Sequence, residues 1–282
     1  MTEKHPSASG TGSPRAGDGQ RIQAFSVAGP IKANLTSRSG DVSVRTGRHD
    51  ELLVTLSVDS SKYHYLLETA RIDFDPLSNR LEVRTQTRDH DGPPRGKAGK
   101  LRLSWFDFGG SDLDVLVVLP EGSSLEVKTV SGDTSLEGPF GAVSVSSVSG
   151  DVDVADPCDV VDVRTASGDV SVNRVSTTLK CRSASGDVEC RSCAATTDVT
   201  SASGDVNVMA DQPGQVTVKT VSGDIQVRVA RGLVVDVDAN SVSGELGTNI
   251  DLDAPGSAGS DEEPVYVKAA TVSGDIRVDK AW

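Results

Sequence analysis

The chain has 282 residues, of which 36% are hydrophobic but only 4% aromatic, with 28 Gly, 12 Pro and 4 Cys. Gly and Pro together make 40 of the 282, about 14% and well under the roughly 25–30% of low-complexity disorder, so a fold cored by Val, Leu, Ile, Ala and Thr is expected. A formal charge of −13, from 41 acidic against 28 basic residues, excludes sequence-independent nucleic-acid binding, which depends on Lys and Arg.

Residues 1–20, rich in Ser, Gly, Pro and charge without periodicity, are expected to form a disordered tail with no secretory h-region. No stretch approaches the ~18 consecutive apolar residues of a membrane helix, so no transmembrane segment is expected and a cytoplasmic location is the default. Residues 21–120 read as a β-rich capping region of the same domain as the repeats. The pieces at 52–56, 70–74 and 80–83 are strand-like, the last two forming a hairpin that turns at Pro76–Asn79. A polar loop is expected at 88–100, followed by strands at 101–108 and 113–120. Most of the ten rings fall before residue 109, and Trp105, Phe106 and Phe108 mark a candidate contact surface on this cap.

Residues 121–282 are dominated by a repeat. Ser-Gly-Asp occurs at Ser39–Asp41, Ser131–Asp133, Ser149–Asp151, Ser167–Asp169, Ser185–Asp187, Ser203–Asp205, Ser222–Asp224 and Ser273–Asp275, with a degenerate copy at Ser243-Gly244-Glu245. Its glycines advance from Gly132 through Gly150, Gly168 and Gly186 to Gly204 in steps of 18, then by 19, 21 and 30. Such self-similarity is the mark of a stacked-repeat architecture. In Val161-Asp162-Val163-Arg164-Thr165 and again in Val170-Ser171-Val172 the apolar positions alternate, the strand pattern, and their parity shifts across Gly-Asp. Either a two-residue hairpin turn or a solenoid corner produces that shift. Hairpin pairing would set Val163 opposite Arg174, mixing polar with apolar. A solenoid would stack Val143, Val161 and Leu179, and Val152, Val170, Val188 and Val206, like on like. A parallel β-solenoid (β-helix) of about 18-residue coils, with an N-terminal β-layer cap, is therefore expected. Its narrow Val-filled interior accounts for the shortage of rings. The last residues, Val278–Trp282, are expected to cover the far end.

Candidate chemistry is sparse. Cys190-x-x-Cys193 lacks the second ligand pair of a zinc site, and Cys181 and Cys190 fall where neighbouring repeats carry Val163 and Val172, as small buried hydrophobes would. His5, His49, His64 and His90 show no metal-ligand spacing, and no Gly-x-Ser-x-Gly elbow joins a strand to a helix. The tightest polar mix, Arg88-Asp89-His90-Asp91, reads as a solvated loop. Stacked aspartates at the corners would lie about 5 Å apart and repel by roughly 1 kcal/mol in water. Bonds from their own corner's N–H groups and from nearby Ser hydroxyls are expected to offset this. Calcium between rungs is the alternative, although one Asp and one Ser per coil supply few of the 6–8 oxygens that ion takes. No catalytic, cofactor-binding or metal residues are assigned, and no cofactor is expected.

The recurring Ser-Gly-Asp-Val units, following a strand that ends in Val118-Leu119-Pro120-Glu121-Gly122, resemble the bacterial putative-adhesin family called domain of unknown function 4097. The likeness covers roughly residues 22–280. It implies a parallel β-solenoid, an adhesin role without established catalytic residues, and members associated with the envelope. The function expected is thus a non-enzymatic adhesin-like scaffold with an unknown protein or glycan partner and scope for self-association. A carbohydrate- or calcium-binding β-helix protein is the alternative.

Overall fold

The computed structural model describes residues 15–17, 19–59, 64–85, 113–250 and 263–281. Most of the expected tail, the polar loop at 88–100, the strand at 101–108 and the candidate surface at Trp105–Phe108 lie outside the described residues. Within the expected tail, Arg15–Gly17 is a strand (β1) that pairs antiparallel with the start of β2 (Gln20–Ser26).

The N-terminal third continues with β3 (Lys32–Ser37), β4 (Val42–Gly47), β5 (Glu51–Val58), α1 (His64–Thr69), β6 (Arg71–Asp75), β7 (Arg80–Arg84) and β8 (Leu113–Pro120). After it every repeat contributes one long and one short strand. In chain order they are β9 (Ser124–Ser131) with β10 (Thr134–Glu137), β11 (Phe140–Ser149) with β12 (Val152–Val154), and β13 (Cys158–Ser167) with β14 (Val170–Val172). Next come β15 (Val175–Ser183) with β16 (Val188–Cys190), β17 (Thr196–Ser201) with β18 (Val206–Ala210), and β19 (Gly214–Lys219) with β20 (Ile225–Val229). The last are β21 (Val235–Ser243) with β22 (Leu246–Thr248) and β23 (Val265–Ser273) with β24 (Ile276–Lys280). From β9 onward the long strands join an eleven-stranded sheet and the short ones a thirteen-stranded sheet. The chain is a β-solenoid-like stack with its core between the two sheets.

Register follows from the alternation. Val161 and Val163 are buried while Asp162 and Arg164 point out. Parallel pairing sets Val143 beside Val161 beside Leu179, and Val152, Val170, Val188 and Val206 in one column. The hairpin alternative is gone, because successive repeats pair parallel, residue on residue, 18 positions apart. Each buried Val contributes about 1.5–3 kcal/mol against its exposed state, and stacking side chains of similar size keeps the columns closely packed.

Stack order departs from chain order at both ends. The coil of β3 and β4 stacks directly on that of β9 and β10, about ninety residues later, so the early Ser39-Gly40-Asp41 is the first rung. At the other end β24 lies between β20 and β22, and β23 between β19 and β21. The final coil of the chain is thus an inner rung, and the preceding coil, β21 with β22, is the outermost. The expectation that Val278–Trp282 covers the far end is corrected here: residues 276–280 form a central strand, paired on both sides, because their Ile-x-Val alternation fits the inner columns.

The near end is closed differently. Antiparallel strands β2, β5 and β8 flank β4, and the hairpin β6–β7 flanks β3, turning through Asn79 at φ 49°. Leu66 and Leu67 of α1 are buried against this end, and Arg21 caps the helix by donating to the carbonyls of Leu67 and Ala70, both at 2.9 Å. Phe25 on one sheet and Phe74 on the other meet with ring centroids 5.3 Å apart, bridging the sheet edges.

Candidate interaction surface

The corner is built from five residues of the type Thr165-Ala166-Ser167-Gly168-Asp169. Gly168 has φ +118°, and a Cβ there would press into the carbonyl of Gly150 on the rung below, so the corner tolerates glycine alone. Each aspartate Oδ1 accepts the backbone N–H of the Asp on the next rung: Asp169 donates to Asp151, Asp187 to Asp169 and Asp205 to Asp187, all at 2.8 Å. This chain of bonds starts at Asp114, which receives Asp41 N–H at 2.9 Å, and ends where Glu245 N–H reaches Asp275 at 2.8 Å. The donors expected for these carboxylates were their own corner's. They come instead from the neighbouring rung, because parallel stacking delivers one N–H to each carboxylate at rung spacing. Nor do the hydroxyls serve the aspartates. Thr165, Ser183 and Ser201 donate to the carbonyls of Ser167, Ser185 and Ser203 at 3.0 Å, satisfying the corner backbone.

The thiols belong to the interior. All four are free and buried, Cys181 in the column between Val163 and Val199 and Cys190 between Val172 and Val208. Burial pushes the thiol of Cys158 up to about 11 and that of Cys181 up to about 12. Cys193 is pushed up further, first by its hydrogen bond with Cys190 and then by burial. A nucleophile or metal ligand needs the thiolate, which the surroundings of Cys158, Cys181 and Cys193 disfavour. Among the described residues no group of three or more His, Cys, Asp or Glu is placed to hold a metal ion. His49 and His64 lie apart at the near end, and the mix at Arg88–Asp91 falls outside the described residues.

What the outer surface does offer is regular rows. The residue before each Ser-Gly-Asp points outward: Arg38 on the first rung and then, in stack order from β9 onward, Val130, Val148, Ala166, Ala184, Ala202, Val221, Val272 and Val242. Val130, Val148, Val221 and Val272 are 47–56% exposed and Val242 78%, so an apolar ridge runs the length of the repeats. Scattered exposed valines need no explanation, but a continuous row does. The alternation of buried positions does not by itself single out these ridge residues, which are Val and Ala like the interior. Their signal in the sequence is an apolar residue standing out of phase before every Ser-Gly-Asp (or Ser-Gly-Glu) from residue 131 onward.

One further outward feature is a ring. Tyr266 on β23 is 52% exposed, set between Gln215 and Asp236 on the adjoining strands, with the Lys268–Asp238 ion pair (3.2 Å) one step along, beside a shallow concavity of about 280 Å³.

The sequence profile of a known family, Toastrack DUF4097, matches residues 31–279. The chain belongs to the Toastrack DUF4097 family. Among solved structures, a putative adhesin from Parabacteroides distasonis ATCC 8503 is 15% identical, with 94% of this chain and 98% of that one covered and a TM-score of 0.56. A putative adhesin from Bacteroides fragilis NCTC 9343 is 11% identical, with 93% and 97% covered and a TM-score of 0.46. Another, from Parabacteroides merdae ATCC 43184, is 12% identical, with 97% and 98% covered and a TM-score of 0.41. At such identities the likeness to the Parabacteroides distasonis protein speaks for the fold of this Toastrack chain alone. No curated protein sequence matches it at a significant level. No helix among its described residues is long and apolar enough to cross a membrane.

Proposed function

We propose that this Toastrack protein is a non-enzymatic, adhesin-like scaffold that engages a partner through the outer surface of its repeats. The exposed ridge from Val130 to Val242 carries this reading. A rod selected only for stability gains nothing from a row of exposed valines, whereas a recognition surface gains apolar area on a rigid support. Charged side chains along the same sheet, such as the Arg164–Asp162 and Lys128–Glu126 pairs, supply a polar rim. The absence of any assigned catalytic residue is part of this proposal, as is the cytoplasmic location expected from the sequence, which fractionation of the native cell would test. Affinity capture from that cell, comparing the intact protein with a Val148→Lys/Val221→Lys variant of unchanged circular dichroism, tests the reading. Capture of the same proteins by both would sink it.

The carbohydrate-binding alternative is supported by Tyr266, whose ring offers a stacking platform beside an amide and two carboxylates. Loss of glycan binding in Tyr266→Ala with the ridge intact would favour this second reading.

A further inference from the structure

The ridge is flanked by rows of opposite charge. Two residues before it on each strand, the eight outward positions hold Lys128, Arg164, Arg182 and Lys219 and no acid. Three residues after it, each rung carries its corner carboxylate, seven times Asp and finally Glu245. Lys128 and Arg164 reach back to Glu126 at 2.6 Å and Asp162 at 2.8 Å, whereas Arg182 and Lys219 make no ion pair among the described residues. The surface is therefore a strip ordered basic, apolar, acidic on four of the eight rungs and uncharged, apolar, acidic on the other four, where Ser146, Thr200, Ala270 and Asn240 stand in the first place.

We infer that this strip is the contact surface for a second copy of the chain, docked side by side with both stacks running the same way. The inference rests on the interaction reading above and names its partner. Symmetry selects the arrangement. A two-fold axis along the stack lays ridge on ridge at equal height and exchanges the two sides, so each basic row faces the partner copy's column of aspartates. A two-fold axis across the stack instead sets one aspartate column against the other, and like charges so placed repel. End-to-end joining is opposed at the near end by α1 and the Phe25–Phe74 pair, and at the far end by Asp236 and Asp238 on the edge strand β21. Eight rungs at roughly 4.8 Å make a strip about 38 Å long, and with a width of about 20 Å it offers on the order of 800 Å² per copy, the size of a standard specific interface.

Because the axis runs along the ridge, each ridge residue meets its own counterpart. Val148→Cys should therefore form a disulfide-linked dimer on mild oxidation, the four native thiols being buried, while Ser144→Cys, off the ridge on the same strand, should not. Light scattering on the intact protein should give twice the monomer mass, with the dimer weakening as salt rises. X-ray scattering should show a maximum dimension little longer than the monomer's. Val148→Lys/Val221→Lys should raise the dimer dissociation constant at least tenfold with an unchanged melting curve. A monomer at every concentration overturns the inference. So does an elongated dimer, or one that survives the lysine variant and is not trapped by Val148→Cys. If the intact protein is monomeric while the lysine variant still loses a captured partner, the dimer falls and the interaction reading stands.

Discussion

Replacing the same residue type in two places should move stability in opposite directions. Thr134 is 1% exposed and stands in the interior column between Val42 and Val152, and its Oγ1 has no hydrogen-bond partner. Thr165 is nearly as buried, but its Oγ1 donates to the carbonyl of Ser167 at 3.0 Å. An unpaired buried hydroxyl costs about 1–3 kcal/mol, so Thr134→Val, which keeps the shape and matches both neighbours, should stabilise by about 1–2 kcal/mol. Thr165→Val should destabilise by about 1 kcal/mol, the net worth of a typical hydrogen bond, and strand the corner carbonyl. At roughly 2–4 °C per kcal/mol for a domain of this size, the two melting temperatures should differ by roughly 4–12 °C. Urea unfolding followed by far-UV circular dichroism measures the signs. Midpoints are the quantity to compare, since stacked repeats depart from two-state behaviour. Loss of stability in both variants would refute the claim that Thr134 is a misfit in an apolar column.

Gly168→Ala should cost about 3 kcal/mol or more, from a positive φ and a clash with the rung below. Gly232→Ala, at φ +89° with no atom near its added Cβ, should cost only about 1–2 kcal/mol in the same urea assay. Asp169→Ala should lower the melting temperature by a few degrees through loss of the bond from Asp187, while EDTA leaves the intact protein unchanged; a large EDTA effect reversed by calcium would revive the cation reading. Deleting Val161–Thr178, one register step of 18, should leave a cooperatively folding protein, and deleting nine residues should not. Finally, Cys158 and Cys181 stay protonated in the fold to about 11 and 12 against an ordinary 9.0, so an unfolded chain loses those protons first and stability should fall as pH rises above 9. The fall between pH 8 and 10.5 should be smaller in Cys158→Val/Cys181→Val, as read from urea midpoints.

The interior was legible in the sequence because a period of 18 and a strand period of two together fix which residues meet: Val143, Val161 and Leu179 could be paired on paper. Partners that depend on the offset between rungs could not. The spacing says that Asp151 and Asp169 are neighbours, but only parallel stacking shows that the N–H of one falls on the carboxylate of the other. Stack order was hidden for a related reason. Counting along the chain assumes that successive coils are adjacent, whereas β3 with β4 and β23 with β24 reach their places through long excursions that leave no periodic trace. The apolar ridge lay in plain view, masked because Val and Ala are ordinarily counted as interior.

The rearranged far end gives the one degenerate repeat a physical reading. At every inner rung the aspartate carboxylate receives the N–H of the rung that follows, which demands a side chain of that length. Glu245 occupies this place on the outermost coil, where its own N–H is held by Asp275 and no further rung presents a donor. Asp is therefore needed where a rung follows, and the requirement lapses where none does. In chain order Ser243-Gly244-Glu245 looks like a flaw inside an otherwise regular series, with Ser273-Gly274-Asp275 restored after it. In stack order it is the terminus. With carboxylates at Asp236 and Asp238 on the same coil, the rung ends the hydrogen-bonded ladder and guards its open edge with charge, which directs association away from the end of the rod and toward its side.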